Sequence, residues 1–265
     1  IKLVGDFAQV VTNGILMGLI YSLTAVGLTL IWGVMDLANF AHGEFLMLGM
    51  YLAYWMYALV DVDPLIAAPL AAVVFFILGK SVYRIVVRPV MQSSALSRIL
   101  VTFGLGIVLS NTALFFWSPN FRSVAKPLLP GTVVLGSLRL PSAKLAVSLI
   151  SLGVSALLYY VLTRTRTGRA LQALSMDADA AVLVGVNVEK MRSMAFGLGV
   201  ACAGVAGCLL AEFSYVVPTV GSVFSLLAFA SVALGGFGSV PGALIGAVII
   251  GLGEALGGFF VGPAY

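Results

Sequence analysis

The sequence predicts an all-α integral membrane protein with about eight transmembrane segments, discontinuous helices and a possible internal repeat. Of its 265 residues, 61% are hydrophobic and only 9% are charged, and the mean hydropathy is +1.13. Soluble domains carry about 25% charged residues, so this composition excludes a soluble enzyme. The apolar runs are continuous and do not alternate with period two, which favours helices over a barrel as the spanning elements.

Apolar runs bounded by helix breakers predict eight spans, and the whole chain, 1–265, is expected to form a single transmembrane domain. The formal charge of +4 does not indicate nucleic-acid binding, because the basic residues cluster in short connections between apolar runs. The predicted spans are 7–32, 43–60, 64–87, 99–117, 144–162, 191–213, 222–236 and 241–261.

The connections 80–98 and 163–192 hold nine of the 14 basic residues. Two spans separate them, so both lie on one side, and the positive-inside tendency makes that side the cytoplasm. The segment 118–143 is then external, and its stretch 131–136 favours a small strand or hairpin. The basic residues in or beside it fit either an acidic partner surface or a solvated loop: Arg122, Lys126, Arg139 and Lys144.

A polar stretch, 36–44, interrupts the first apolar region. A single helix over 15–57 would be about 65 Å long, far more than a bilayer accommodates, so this stretch contains a break. A second break falls at 235–242, and similar residues follow each break. Paired interrupted segments predict an internal repeat and a central passage, because unwound backbone at membrane depth needs protein or water as its hydrogen-bond partner.

Residues of the two breaks are therefore the candidate passage residues. Glu44 also fits a structural role, capping a helix that begins near Phe45. Three glycine pairs with the small-xxx-small spacing, 14/18, 242/246 and 253/257, favour helix packing inside one subunit. The candidate passage residues are Asn39, Phe40, His42, Gly43, Glu44, Gly236, Phe237, Ser239 and Pro241.

The predicted cytoplasmic segment 163–192 contains a short amphipathic helix. Ser175 is its expected N-cap and Gly185 its expected stop. Its apolar residues Ala180, Leu183 and Val184 share one face. Such a helix serves either as a lever for a cytoplasmic partner or as an element lying in the lipid headgroups.

The sequence lacks the residues for an enzymatic reaction of its own. The run 79–81 (Gly-Lys-Ser) is like the end of a phosphate-binding loop, but the required first glycine is replaced by Val74. An intramembrane protease built on Ser239 and His42 has no support from spacing. With one histidine and two cysteines, a metal cluster is not expected.

Three separated stretches carry a family resemblance. They are 27–35 followed by 39–45, then 168–170 with 179–185, and finally 234–243. In this order they resemble the membrane permease subunits of branched-chain amino-acid ABC importers of the LIV type. The second stretch is similar to the coupling element of such importers, with Asp179 in place of glutamate.

The resemblance implies an ATP-driven importer in the bacterial inner membrane. Its other members would be a second related permease subunit, two cytoplasmic ATPase subunits that bind ATP and Mg, and a periplasmic solute-binding protein, while this chain would hold no cofactor. The 168–186 helix would dock into an ATPase, 118–143 would contact the binding protein, and the breaks 39–44 and 235–242 would border the passage. The implied ATPase-coupling residues are Gly168, Arg169, Asp179, Ala180, Ala181 and Gly185.

Two other functions stay open at this stage. Importers of urea or short-chain amides carry the same signatures, and an autonomous carrier would use Asp36, His42 or Glu44 as a proton relay. The resemblance also implies a further apolar span beyond Tyr265, where the sequence stops.

Overall fold

The computed structural model describes residues 2–125, 128–136 and 138–262, and these are almost entirely helical. A π-helical turn (Tyr83–Val87) and a 3-10 turn (Arg88–Val90) extend the third helix. The elements are α1 (Lys2–Met35), α2 (His42–Val60), α3 (Pro64–Val82), α4 (Ala95–Trp117), β1 (Thr132–Leu135), β2 (Leu138–Pro141), α5 (Ser142–Arg164), α6 (Arg166–Met176), α7 (Ala178–Leu183), α8 (Val188–Leu210), α9 (Val220–Gly235) and α10 (Val240–Phe260).

Seven helical segments of the described residues are long and apolar enough to cross a membrane, which confirms the all-α membrane fold. The predicted span 222–236 is present as α9, whose 16 residues are fewer than the roughly 20 that a spanning helix needs. The helix Pro64–Val90 continues past the predicted end at 87. Long basic side chains permit this extension, because they reach the headgroups while the backbone stays helical.

The predicted strand or hairpin at 131–136 is confirmed as the antiparallel pair β1 and β2, with Thr132 opposite Pro141. Of the external basic residues named above, Lys126 lies outside the described residues, as do residues 263–265 at the C-terminus. We call the end of the bundle that carries 118–141 the hairpin end. Gln9 of α1 is at this end, because its side chain exchanges two hydrogen bonds of 2.8 Å with the backbone of Arg139.

The helices α1 and α8 form the centre of the bundle. In each of them 83% of the most apolar 18-residue window is buried, against 17% in α4. Their contact depends on Gly27 and Gly199, because a Cβ added at Gly27 would lie 2.6 Å from the carbonyl oxygen of Gly199. Inside a membrane, helices associate through such close backbone packing rather than through exclusion of water.

The glycine pairs have different surroundings. Gly14 and Gly18 pack against α10, and a Cβ added at Gly18 would lie 2.5 Å from the Cα of Val248. The pair 242/246 packs against α9, so both pairs act within one subunit as predicted. For the pair 253/257 the prediction is wrong: the described residues leave open space around both positions, because they lie on the side of α10 that faces away from α1 and α9.

We predict that G18V lowers the thermal stability of the purified chain. The added side chain would collide with the α10 backbone, and overpacking of this kind costs about 1–3 kcal/mol. G253V is the matched control, because it places the same residue on α10 where the described residues come no closer than 4 Å. Thermal unfolding in detergent measures the difference, and equal melting temperatures for the two variants would contradict the close packing of α1 on α10.

Candidate translocation site and coupling segment

The first break is a nonhelical stretch, 36–41, that runs beside α4. It begins at Asp36, whose backbone is left-handed with φ of 47°. The hydroxyl of Thr102 in α4 donates to the carbonyl of Ala38 over 2.9 Å and accepts from the amide of Phe40 over 3.3 Å. The unwound backbone thus finds partners on a neighbouring helix, as its place inside an apolar bundle requires.

The break is re-entrant. Nε2 of His42, the first residue of α2, lies 3.0 Å from the carbonyl oxygen of Thr24. Thr24 is about three helical turns, roughly 16 Å, before the end of α1, so the side chain of His42 reaches back along α1 into the bundle. The helix starts at His42, and no side chain in the described part of the chain caps it. The predicted capping role of Glu44 is therefore wrong, because the helix begins two residues before it.

The beginnings of α2 and α9 cross in backbone contact. The amide of Gly43 donates to Oγ of Ser225 over 2.9 Å, and the Ser225 hydroxyl donates to the carbonyl of Phe40 over 3.4 Å. A Cβ added at Gly43 would overlap the carbonyl oxygen of Gly221. Gly43 is thus required for the crossing, in which one helix supplies a hydrogen-bond partner for the broken end of the other.

A cavity of about 520 Å³ lies beside this crossing, between α2, α4 and α9. We call it the Glu44 cavity, since Glu44 is the charged residue among the described residues that line it. Its walls are mostly aromatic and aliphatic, with three serine hydroxyls, and such a mixture is typical of small-molecule sites. The lining residues are Phe40, Glu44, Phe103, Gly106, Ile107, Ser110, Ser222, Ser225, Leu226 and Phe229.

Glu44 is held in an unusual environment for a carboxylate. Its side chain is only 7% exposed, and Oε2 has no hydrogen-bond partner among the described residues. Gly221 lies directly against the carboxylate, so that any side chain at position 221 would collide with it. Since Glu44 is in the first turn of α2, the positive end of that helix dipole favours its negative charge.

The structure brings only part of the predicted passage residues to this cavity. Phe40 and Glu44 line it, whereas Asn39 and His42 are fully buried and do not. The side-chain amide of Asn39 and Nδ1 of His42 have no partner among the described residues. Phe40 and Ala41 form a turn that leads into α2, and this turn directs Phe40, but not Asn39, to the cavity.

The second break, 236–239, lies at a different place in the bundle. Gly236 and Gly238 have positive φ values of 90° and 81°, which glycine adopts without strain. The amide of Gly238 donates to Oγ1 of Thr29 over 2.9 Å, so this break is also attached to α1. The ring of Phe237 packs on Trp32 with 4.4 Å between the centroids.

The remaining predicted residues begin α10. Ser239 caps the helix by accepting from the amide of Gly242 over 3.1 Å, and Pro241 is in the first turn. Both line a second cavity of about 370 Å³, which also contacts α1, α5 and Ser175 of α6. The nine predicted passage residues therefore divide between two places rather than forming one site.

The predicted amphipathic helix is two helices, α6 and α7, separated at Asp177. The hydroxyl of Thr165 caps α6 by accepting from the amide of Gly168 over 3.0 Å. Asp177 caps α7, since its Oδ1 accepts from two amides over 3.0 Å each. The prediction of Ser175 as the cap is wrong, because Ser175 is in the last turn of α6 and donates to the carbonyl of Gln172.

The coupling residues differ in exposure. Gly168 is buried against the backbone of α5, and Ala181 is 2% exposed, so these two positions support the segment from within. Arg169, Asp179, Ala180 and Gly185 are exposed. Beside them the structure displays large apolar side chains on the same end of the bundle, namely Met176, Val182, Leu183 and Val184.

An acidic pair that the sequence did not reveal lies at the hairpin end. Glu212, two residues beyond α8, is 3% exposed, and its carboxylate has no hydrogen-bond partner among the described residues. Asp63 is beside it and accepts from the amides of Leu65 and Leu128 over 2.8 Å each. Burial and the negative charge of Asp63 raise the pKa of Glu212 to about 7.

Sequence reasoning missed the residues that complete the Glu44 cavity. They come from α4 and α9, two helices that were predicted only as spans. A signal was present, because Ser222 and Ser225 are three residues apart on α9, and Thr102, Gly106 and Ser110 repeat every four residues on α4. Such spacing places small polar groups on one helix face.

A bundle of apolar helices with two interrupted elements attached to its central helix defines a multi-pass membrane protein of the transporter class. The chain belongs to the family described as branched-chain amino acid transport system / permease component, whose model matches residues 10–264. It is therefore a membrane permease component.

Relatives along almost the whole chain carry the same description. The LivH high-affinity branched-chain amino acid transport system permease protein of Salmonella typhimurium is 34% identical over 98% of this chain and 88% of its own length. The Escherichia coli LivH protein is 33% identical over the same shares. The BraD permease protein of Pseudomonas aeruginosa is 31% identical over 98% of this chain and 89% of its own. No solved structure matches the chain.

We predict that Glu212 makes the protein less stable as the pH rises from about 5 to about 8. With a folded pKa of about 7 and an ordinary value of 4.5, the folded state holds this proton at pH values where the unfolded chain has released it. The stabilisation is therefore present at low pH and is lost as the pH rises through the folded pKa. The glutamine side chain of E212Q has the size of glutamate and can form hydrogen bonds, but it does not titrate. The stability of E212Q should therefore depend less on pH.

The melting temperature across this pH range, measured in detergent, tests the prediction. D61N is the control, because Asp61 is an exposed acid at the same end whose left-handed φ of 56° asparagine also tolerates. A pH profile that E212Q leaves unchanged would show that Glu212 is not protonated in the folded protein.

Proposed function

We propose that this chain is the passage-forming permease subunit of an ATP-driven importer of branched-chain or other hydrophobic amino acids in the bacterial inner membrane. The observation that carries the proposal is the family match over residues 10–264, with relatives named for branched-chain amino acid transport. The Glu44 cavity agrees with it, because its mainly apolar walls suit a hydrophobic solute.

The passage is proposed to need a second, related permease subunit. The Glu44 cavity is open on one side, and one chain does not surround it. Glycines 253 and 257 of α10 also leave an outward face where another helix can approach closely. A second subunit against these faces would complete a conduit, and Phe40, Gly43, Glu44 and the 236–241 break would border it.

ATP hydrolysis is assigned to two cytoplasmic ATPase subunits, which would bind ATP and Mg, since this chain has no Walker A sequence. Their docking surface would be α6 and α7, where Arg169, Asp179, Ala180 and Gly185 are exposed next to Leu183 and Val184. Gly168 and Ala181 would support this surface. Closure of the ATPases would then tilt the helices and alternate access to the passage.

A periplasmic binding protein is proposed to deliver the solute at the hairpin end. The bridge between Arg122 and Val216 joins the external segment to the chain that leads into α9. Phe121 and Tyr215 beside it are exposed and in contact, with 6.0 Å between the ring centroids. This surface of segment 118–143 therefore connects directly to a helix of the Glu44 cavity.

We predict that G185R prevents the ATPase subunits from co-purifying with the permease, while insertion into the membrane stays normal. Gly185 is exposed with φ of 85°, and a Cβ there meets nothing within 4 Å among the described residues. Arginine at this positive φ strains the local backbone, but its side chain meets no clash within the described residues, so its bulk and charge act on a partner.

G136R is the matched control, because Gly136 also has a positive φ, 63°, and open space around it, but lies at the hairpin end. It should leave co-purification unchanged. If G185R retained the ATPases as well as G136R does, α7 would not be their docking site.

We also predict that E44A impairs ATP-driven amino-acid uptake into proteoliposomes more than E254A does. Glu254 is exposed on α10 and accepts from the Tyr21 hydroxyl over 2.7 Å, away from the Glu44 cavity. Equal uptake by the two variants would remove Glu44 from the passage. Uphill uptake by the permease without ATPases, driven by a proton gradient, would instead identify a secondary carrier.

A further inference from the structure

The polar groups of the Glu44 cavity are all acceptors. The hydroxyl of Ser110 donates to the carbonyl of Ile107 over 3.2 Å, that of Ser222 to the carbonyl of Thr219 over 3.0 Å, and that of Ser225 to the carbonyl of Phe40. Each serine therefore presents lone pairs rather than a proton to the cavity. Glu44 adds a carboxylate whose buried Oε2 is unpartnered among the described residues.

This arrangement selects a ligand that carries hydrogen-bond donors and a positive charge. A buried, unpaired carboxylate is costly, and a cation that pairs with it recovers that cost. An ammonium group has three donors and no acceptor. It matches a cavity with one carboxylate and three hydroxyl acceptors better than a carboxylate or a neutral hydroxyl would.

We propose that the Glu44 cavity is a binding site for hydrophobic α-amino acids within the permease itself, with Glu44 receiving the α-ammonium group and the aromatic wall receiving the side chain. The proposal rests on the proposed function and adds the recognition chemistry. The ligand's carboxylate would lie at the open side, because the described lining residues include no basic side chain.

The aromatic wall provides the apolar half of the site. The rings of Phe40 and Phe229 stack with 4.7 Å between centroids, and Phe103 meets Phe40 edge-on at 6.5 Å. Leu226 and Ile107 extend this surface. A branched aliphatic side chain placed against these groups is removed from water, which favours its binding.

Gly106 sets how much room the side chain has. It lines the cavity, and a Cβ added there would lie 3.5 Å from the Cα of Ala41 and 3.7 Å from Cγ of Glu44. These are ordinary van der Waals distances, so alanine fits the fold but occupies space in the cavity. Gly104, on the same helix, has nothing within 4 Å among the described residues and does not line the cavity.

Equilibrium binding of radiolabelled leucine to the purified permease with its ATPase partners, without the binding protein, tests the site. We expect saturable binding that E44Q weakens roughly tenfold or more, the scale of a lost charge-assisted hydrogen bond. Isoamylamine, which is leucine without its carboxylate, should compete, whereas isocaproate, which lacks the ammonium group, should not. G106A should weaken leucine binding by roughly tenfold relative to alanine binding, and G104A should change neither.

The outcomes separate this inference from the proposed function. The wild-type complex with its binding protein should import leucine, and failure of that import would overturn the proposed function together with the site. Import without leucine binding to the permease, or with E44Q binding as tightly as wild type, would overturn the site alone. Competition by isocaproate rather than isoamylamine would also overturn it. G106A does not depend on the folding of E44Q, so an unchanged preference in G106A counts against the site by itself.

Discussion

The structure depends on one constraint, which is that unwound backbone inside an apolar bundle must be hydrogen-bonded by protein. At the first break two helices supply such partners, and a side-chain hydrogen bond anchors the break to a third helix. Thr102 binds the stretch from α4, Thr24 receives His42 on α1, and Ser225 receives the Gly43 amide on α9. Because these partners hold the break deep in the bundle, α2 starts there, and its first turn presents Glu44 to a cavity instead of to the membrane surface.

Close packing of glycines makes this arrangement possible. The crossing of α2 and α9 leaves no room for a Cβ at Gly43, and the contact of α1 with α8 leaves none at Gly27. Without such contacts the hydroxyls of short side chains such as Ser225 would not reach the backbone of the neighbouring element. Glycine therefore stabilises the bundle by letting helix backbones approach closely, because helices in a membrane gain little from excluding water.

The sequence alone predicted the features of the fold that depend on local residue patterns. Continuous apolar runs predicted the helices, the 65 Å length argument predicted the first break, and the glycine-bounded stretch 131–136 predicted the hairpin. It did not predict the placement of side chains whose neighbours are far away in the sequence. Whether Asn39 or Phe40 faces the cavity depends on how the first break packs against α4 and α9. The proximity of Glu212 to Asp63 depends on how α8 packs beside α3. The N-cap of α7 is decided by nearby residues. Ser175 is not that cap, because α6 continues to Met176, one residue past Ser175, and Asp177 takes the position.

Both breaks are attached to the same helix, and this bears on how the proposed coupling would act. His42 binds α1 at Thr24 and Gly238 binds it at Thr29, positions about 7.5 Å apart along the helix axis. The second cavity extends from this part of α1 to Ser175 of α6, beside the 236–241 break. Since α6 packs against α1, a force applied at α6 and α7 would reach both breaks through α1. Since α1 is a continuous helix at the centre of the bundle, its tilt would move both breaks together, so the Glu44 cavity need not contact the coupling segment to respond to it.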